Sequence, residues 1–269
     1  MTPRRLAFRV EYDGTAFHGW QRQPGTRTVQ GTLEATVLEV LGIHTSVDGA
    51  SRTDAGVHAR DQLAAAVLDH PIQPASFVKA ISRRLPEDVA LRDAREVAAD
   101  FQPRFSSGGK RYVYRILVGL DRHPLRDRFA WRIPRPIDLA PMRVAAAHLV
   151  GTHDFTSFAA CDGSHTTAVR TIHRIEVSAT AEGLDLEFVG SAFLKQMVRN
   201  LVGTLVEVGQ GRRAPDSLAD VLAARDRRRA GATAPAVGLT LERVWERGDA
   251  DAPSERELNA QSQVEVEAR

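Results

Sequence analysis

The chain has 269 residues, 43% of them hydrophobic, enough for one large domain or two small ones around a real core. No apolar run approaches the roughly 18 residues of a membrane helix, the N-terminus lacks the apolar centre of a signal peptide, and a single cysteine, Cys161, excludes an internal disulfide and argues against a thiolate metal cage; a globular cytoplasmic protein is expected. The formal net charge of +2 conceals an asymmetry: residues 246–269 carry seven acids against three arginines, a net −4, so residues 1–245 hold +6, a balance suited to an anionic partner.

Residues 5–12 alternate apolar and polar and predict a strand with one buried face. After a glycine-containing loop with Phe17, His18 and Trp20, the apolar residues Val29, Leu33, Val37, Leu38 and Leu41 recur at helical spacing. Thr28 stands as N-cap and Gly42 as terminator. Short strands follow near 45–50 and 62–68, a helix near 74–84 and a strand near 88–98. Residues 102–109 read as a connector, and then the order begins again: a strand at 110–118, a helix at 138–150, and strands near 169–179 and 184–190. An apolar helical stripe at Phe193, Met197, Leu201, Leu205 and Val208, a short helix near 216–225 and a last strand near 239–246 complete it. The stretch 121–137, with Pro124, Pro134, Pro136 and five arginines, reads as a long basic loop.

Strand, helix, two strands, helix, strand, repeated, is the order of two ferredoxin-like βαββαβ halves in an α+β protein. The expected divisions are 1–105, 106–247 and a disordered acidic tail, 248–269. Only Lys79, Lys110 and Lys195 are lysines, so 33 of the 36 basic residues are arginines suited to bidentate phosphate contacts. A GC-rich genome produces the same bias, and arginine content alone establishes no RNA binding.

Between the predicted strands near 45–50 and 62–68 lies Ser51-Arg52-Thr53-Asp54-Ala55-Gly56-Val57-His58-Ala59, small, polar and charged residues in a loop. Arg52 and Asp54, two apart, can share one side of an extended segment, and Gly56 permits backbone geometry that a Cβ resists. Burial raises a carboxylate pKa by up to roughly 3–5 units, whereas an adjacent guanidinium lowers it by roughly 1–3, so an arginine can keep a nucleophilic aspartate charged in a dry pocket. Taken alone, an Arg-x-Asp in a loop is more simply a surface ion pair.

The stretch does not stand alone. Arg52 through Ala59 resembles the catalytic motif of the tRNA pseudouridine synthases of the TruA type. Further resemblances come in the family's order: Tyr12-Asp13-Gly14-Thr15 with Phe17-His18-Gly19-Trp20-Gln21, Lys110-Arg111-Tyr112-Val113-Tyr114, Asp154-Phe155-Thr156-Ser157-Phe158, Met197 to Gly203, and Gly238-Leu239. The resemblance implies two halves joined into one broad, mainly antiparallel sheet, with helices on one face and a catalytic cleft on the other. It implies isomerisation of uridine in the tRNA anticodon stem-loop, on its 3′ side, by a homodimer that needs no metal, nucleotide or organic cofactor and no membrane.

By the same resemblance Asp54 is the nucleophile, attacking C1′ of the ribose or C6 of the base, the sequence leaving both open. Tyr112 stacks on the displaced uracil and assists a proton transfer at C5. Tyr114, two along the strand, faces the same side, and only its place in the motif favours Tyr112. Arg199 would hold Asp54 charged, with Lys195, Arg199 and Gly203 as a stripe along one helix edge; for a generic helix such a stripe is a solvated face. Arg52, Arg111, Arg115 and Arg126 are candidates to contact phosphates. Phe17, Trp20 and His58 are as readily packing plugs as RNA contacts. Two departures stand out: Ser51 where the family has glycine, and Lys195-Gln196 ahead of Met-Val-Arg-Asn in place of an aromatic or histidine pair.

Two rivals stay in view. Asp48, Asp54, His58 and Asp61 are ligand-type side chains close in sequence, as in a metal-dependent hydrolase, although no His-Glu-x-x-His or cysteine pattern accompanies them. Ferredoxin-like halves also occur in non-catalytic RNA-binding modules, whose aromatic strand motif Gly109 to Tyr114 begins to match and then leaves.

Overall fold

A computed structural model describes residues 3–163 and 166–253. In chain order, strand β1 (Arg4–Tyr12) is followed by helix α1 (Val29–Leu41), strands β2 (Val47–Gly49) and β3 (His58–Leu68), helix α2 (Pro74–Ser82) and strand β4 (Val89–Val97). Then come β5 (Ser107–Val118), α3 (Pro124–Asp127), β6 (Trp131–Ile133), α4 (Leu139–Ala147), β7 (Gly151–Asp154), β8 (Val169–Thr180) and β9 (Gly183–Gly190). Helices α5 (Met197–Gly209) and α6 (Ser217–Ala224) and strand β10 (Leu239–Glu246) complete the chain. It divides into two compact units, Met1–Ser107 with Thr240–Arg247 and Gly108–Leu239 with Gly248–Arg269. Each, as far as described, is α+β with a mainly antiparallel sheet.

In the first unit β1 is flanked by β3 and β4, both antiparallel, and β2 adds to β3. The alternation in β1 works as expected: Leu6, Phe8, Val10 and Tyr12 are buried, and Phe8 meets Phe77 of α2 with ring centroids 5.6 Å apart. Side chains buried this fully are worth about 1.5–3 kcal/mol each, which fixes the helix to that face. Helix α1 begins where Thr28 accepts a hydrogen bond from Gly31 N and ends at Gly42, φ 68°. Strand β10 runs parallel to β3 from the pair Thr240↔His58, so the expected half of residues 106–247 differs from the second unit at this strand.

In the second unit β9 lies between β5 and β8, and β7 extends β8, all antiparallel. The segment read as a long loop instead forms the one-turn helix α3 and the strand β6, which pairs parallel with β5 at Ile116↔Trp131. Four and three residues are too short to show a period, and β7, Gly-Thr-His-Asp, was hidden in the same way. Met197, Leu201 and Leu205 of α5 are fully buried. Gly203 is where this helix meets the 230–234 segment: a Cβ there would stand 1.7 Å from Ala232 O. The tail expected over 248–269 is described only to residue 253; the rest lies outside the described residues.

Candidate active site

The loop carrying Asp54 connects β2 to β3 and is fixed from both sides within the first unit. Gln62 of β3, fully buried, grips Ser51 by its backbone: Oε1 accepts from Ser51 N at 3.0 Å and Nε2 donates to Ser51 O at 2.5 Å. From the other side the 12–20 segment holds the next residues. Tyr12 Oη and Thr53 Oγ1 share a buried 2.7 Å hydrogen bond, Trp20 N donates to Thr53 O at 3.1 Å, and Gly56 N donates to Phe17 O at 3.1 Å. Val57 N closes a turn on Asp54 O at 3.1 Å, with Gly56 at φ 78° as that turn requires. The approach is close: Gly19, at φ 87°, would with a Cβ stand 2.6 Å from Thr53 O.

Asp54 is therefore a half-buried carboxylate on a backbone whose conformation its neighbours determine. The sequence pointed to the loop but not to Gln62, which stands beside Arg60 and Asp61 in the polar first half of β3. Ser51 has no positive φ, so the glycine it replaces is not needed for backbone reasons, and Gln62 reads its main chain whatever the side chain. Phe17, Trp20 and His58 are all buried: they are plugs, and His58 Nδ1 accepts from Gly14 N at 3.0 Å.

Two expectations for this loop change. Arg52 is exposed and makes no ion pair with Asp54 among the described residues; it lines a cleft beside the loop. The supposed metal ligands disperse, since Asp48 pairs with Arg5 at 2.6 Å, Asp61 with Arg9 at 3.3 Å and His58 with Gly14. Among the described residues no group of three or more His, Cys, Asp or Glu is placed to hold a metal ion.

The second unit holds the other candidates. On β5, Tyr112 and Tyr114 do share a face, opposite Phe188 and Leu186 of β9. Their surroundings separate them. Tyr114 is fully buried, its hydroxyl donates to Pro235 O at 2.7 Å, and Gly238 leaves room for its ring. Burial pushes that phenol well above its ordinary pKa, against the opposing pull of Arg199. Tyr112 is buried with its ring edge-on to Phe193, centroids 5.2 Å apart.

Arg199 lies in the first turn of α5, half-buried, its Nε donating to Ala234 O at 2.8 Å, which orients the guanidinium. Asn200 beside it ties three segments together: Nδ2 donates to Phe158 O at 2.7 Å, and Oδ1 accepts from Thr233 Oγ1 at 2.7 Å and Arg227 Nη2 at 2.9 Å. The expected Lys195-Arg199-Gly203 stripe is broken, because Gln196 takes φ 59° and the helix starts only at Met197. Lys195 instead pairs with exposed Asp162 at 2.6 Å. Arg111 and Arg115 alternate with the tyrosines and face the other side of β5, Arg111 lying 3.9 Å from Glu187. Arg126 pairs with Glu182 and lines a pocket with Arg115.

The first unit thus offers a carboxylate on a clamped loop, and the second a phenol and an oriented arginine, groups that RNA-modifying chemistry can use. Residues 9–106 and 145–245 match the family model described as tRNA pseudouridine synthase. A "tRNA pseudouridine synthase A" of Myxococcus xanthus is 48% identical over 245 residues, covering 90% of this chain and 92% of its own. Relatives of the same description from Geobacillus kaustophilus (strain HTA426) and Geobacter sp. (strain M21) are 44% and 42% identical, covering 90% of this chain and 94% and 98% of theirs. Among solved structures, a Cbf5-Nop10-Gar1 complex aligns over 89% of this chain and 59% of its own at 12% identity and TM-score 0.36, too little to bear on any argument. The chain belongs to the tRNA pseudouridine synthase family, and it is an enzyme that isomerises uridine in tRNA.

Proposed function

We propose that Asp54 is the nucleophile of this isomerisation and that the uridines lie on the 3′ side of the tRNA anticodon stem-loop. Asp54 attacks C1′ or C6, the N1–C1′ bond breaks, the uracil turns, C5 bonds to C1′ and loses its proton while N1 gains one, and the bond to Asp54 breaks to release the carboxylate. Tyr112 stacks on the detached base and serves the proton transfer at C5. Arg199 keeps the carboxylate ionised in a site from which water is excluded. The observation that carries this reading is the double clamp on residues 51–57 by Gln62 and the 12–20 segment, which pre-sets one carboxylate for chemistry. Everting a stacked uridine costs a few kcal/mol, offset by phosphate contacts for which Arg52, beside the loop, is the better placed candidate than Arg111, Arg115 or Arg126.

No metal or organic cofactor takes part in this reading, and the active form is a homodimer. The test is to incubate the protein with unmodified tRNA and map each new pseudouridine, with Asp54→Ala in parallel and the oligomeric state followed by sedimentation. Conversion confined to other tRNA positions overturns the substrate assignment, and a monomer active at all concentrations overturns the dimer.

A further inference from the structure

The cleft beside the catalytic loop has no part in the chemistry described above. It measures about 470 Å³, within the range of small-ligand pockets, and its lining combines polar, aromatic and cationic side chains. Arg52, Arg104 and Phe105 all line it. Phe105 is 65% exposed, with the Arg104 guanidinium 5.9 Å from its ring centroid. Arg5, Asp48 and Asp100 also line the cleft, but Asp48 is neutralised by Arg5 at 2.6 Å, so the surplus charge is positive.

Gln21 also lines the cleft, and its amide can point only one way. Glu34 Oε1 accepts from Gln30 Nε2 at 2.9 Å, and a carboxylate cannot donate. Gln30 Oε1 must therefore face Arg22 N (2.9 Å) and Gln21 Nε2 (2.8 Å). Gln21 Nε2 is thereby fixed, and its carbonyl oxygen lies on the other side of the amide. An exposed glutamine locked by a buried network is the arrangement that reads a hydrogen-bonding edge.

Resting on the proposed function, we infer that this cleft is a subsite for a second RNA nucleotide, one flanking the target uridine. Arg52 and Arg104 take its phosphate, Phe105 stacks on its base, and Gln21 hydrogen-bonds the base edge. Two residues of extended chain from Arg52 to Asp54 span about 7 Å, which places this nucleotide next to the target or one further.

The test is a cycle of protein and RNA changes in steady-state kinetics on an anticodon stem-loop substrate. Phe105→Ala is expected to raise KM about tenfold with kcat nearly unchanged, and Phe105→Trp to restore it. Gln21→Leu is expected to raise KM and to flatten the preference among bases at one flanking position. Replacing the nucleotides on either side of the target one at a time by abasic residues is expected to reveal one position where the wild type loses as much as Phe105→Ala does. At that position Phe105→Ala is expected to lose nothing more. Full additivity at every position, or an unchanged KM in Phe105→Ala, overturns the subsite. Activity retained in Asp54→Ala would instead strike the proposed function, so the two failures are separate.

Discussion

Tyr112 and Tyr114 look alike from the sequence and differ in what surrounds them. Tyr114→Phe removes the hydrogen bond to Pro235 O, a loss of about 1 kcal/mol, and is expected to lower the melting temperature by a few degrees while kcat stays within about twofold. Tyr112→Phe is expected to do the reverse, lowering kcat by about 10²–10⁴-fold with little change in melting temperature. Thermal melts and initial rates on the two variants decide this, and the opposite pattern would exchange their roles. The sequence placed both side chains on one face because alternation along a strand is local. The partner that tells them apart, Pro235, is 121 positions away and was not legible.

At the scale of elements, the Asp54 loop depends on backbone approach more than on side-chain bulk. Gly19→Ala forces a left-handed backbone on an L-residue, at about 1–2 kcal/mol, and sets a methyl against Thr53 O. The expected outcome is a lower melting temperature together with a fall in kcat at least as large as the fall in tRNA affinity, because the displaced group is the loop bearing Asp54. Retained kcat would mean the loop tolerates the shift. Helix α1 was legible to the residue, since Thr28 and Gly42 are capping chemistry written next to the pattern they end. Strands β6 and β7 and helix α3 were not, being shorter than any period, and the start of α5 was misread because nothing in the sequence announces that Gln196 turns left-handed. The Asp54 loop could be found; its clamp by Gln62 could not, because that bond is made across a strand register.

For the whole molecule, charge is the governing quantity. With +6 over residues 1–245, the affinity for tRNA is expected to fall linearly in log K against log salt, and Arg52→Ala to reduce the slope by about one if that side chain meets a phosphate. Titrations of both proteins over a range of salt measure it, and identical slopes would remove Arg52 from the RNA interface. Composition made an anionic partner legible but not where it binds: Arg111, Arg115 and Arg126 are as basic as Arg52, and only strand direction and their acidic neighbours set them apart.

The uracil C5 hydrogen tests Asp54 as the proposed nucleophile, because that hydrogen must leave when C5 joins C1′, whether the carboxylate attacks C1′ or C6. With tRNA labelled with tritium at uridine C5, the wild type is expected to release tritium to water in step with pseudouridine formation. Asp54→Ala is expected to release none above background while binding the tRNA within about twofold as tightly. Tritium release by Asp54→Ala at a rate comparable with the wild type would contradict the assignment.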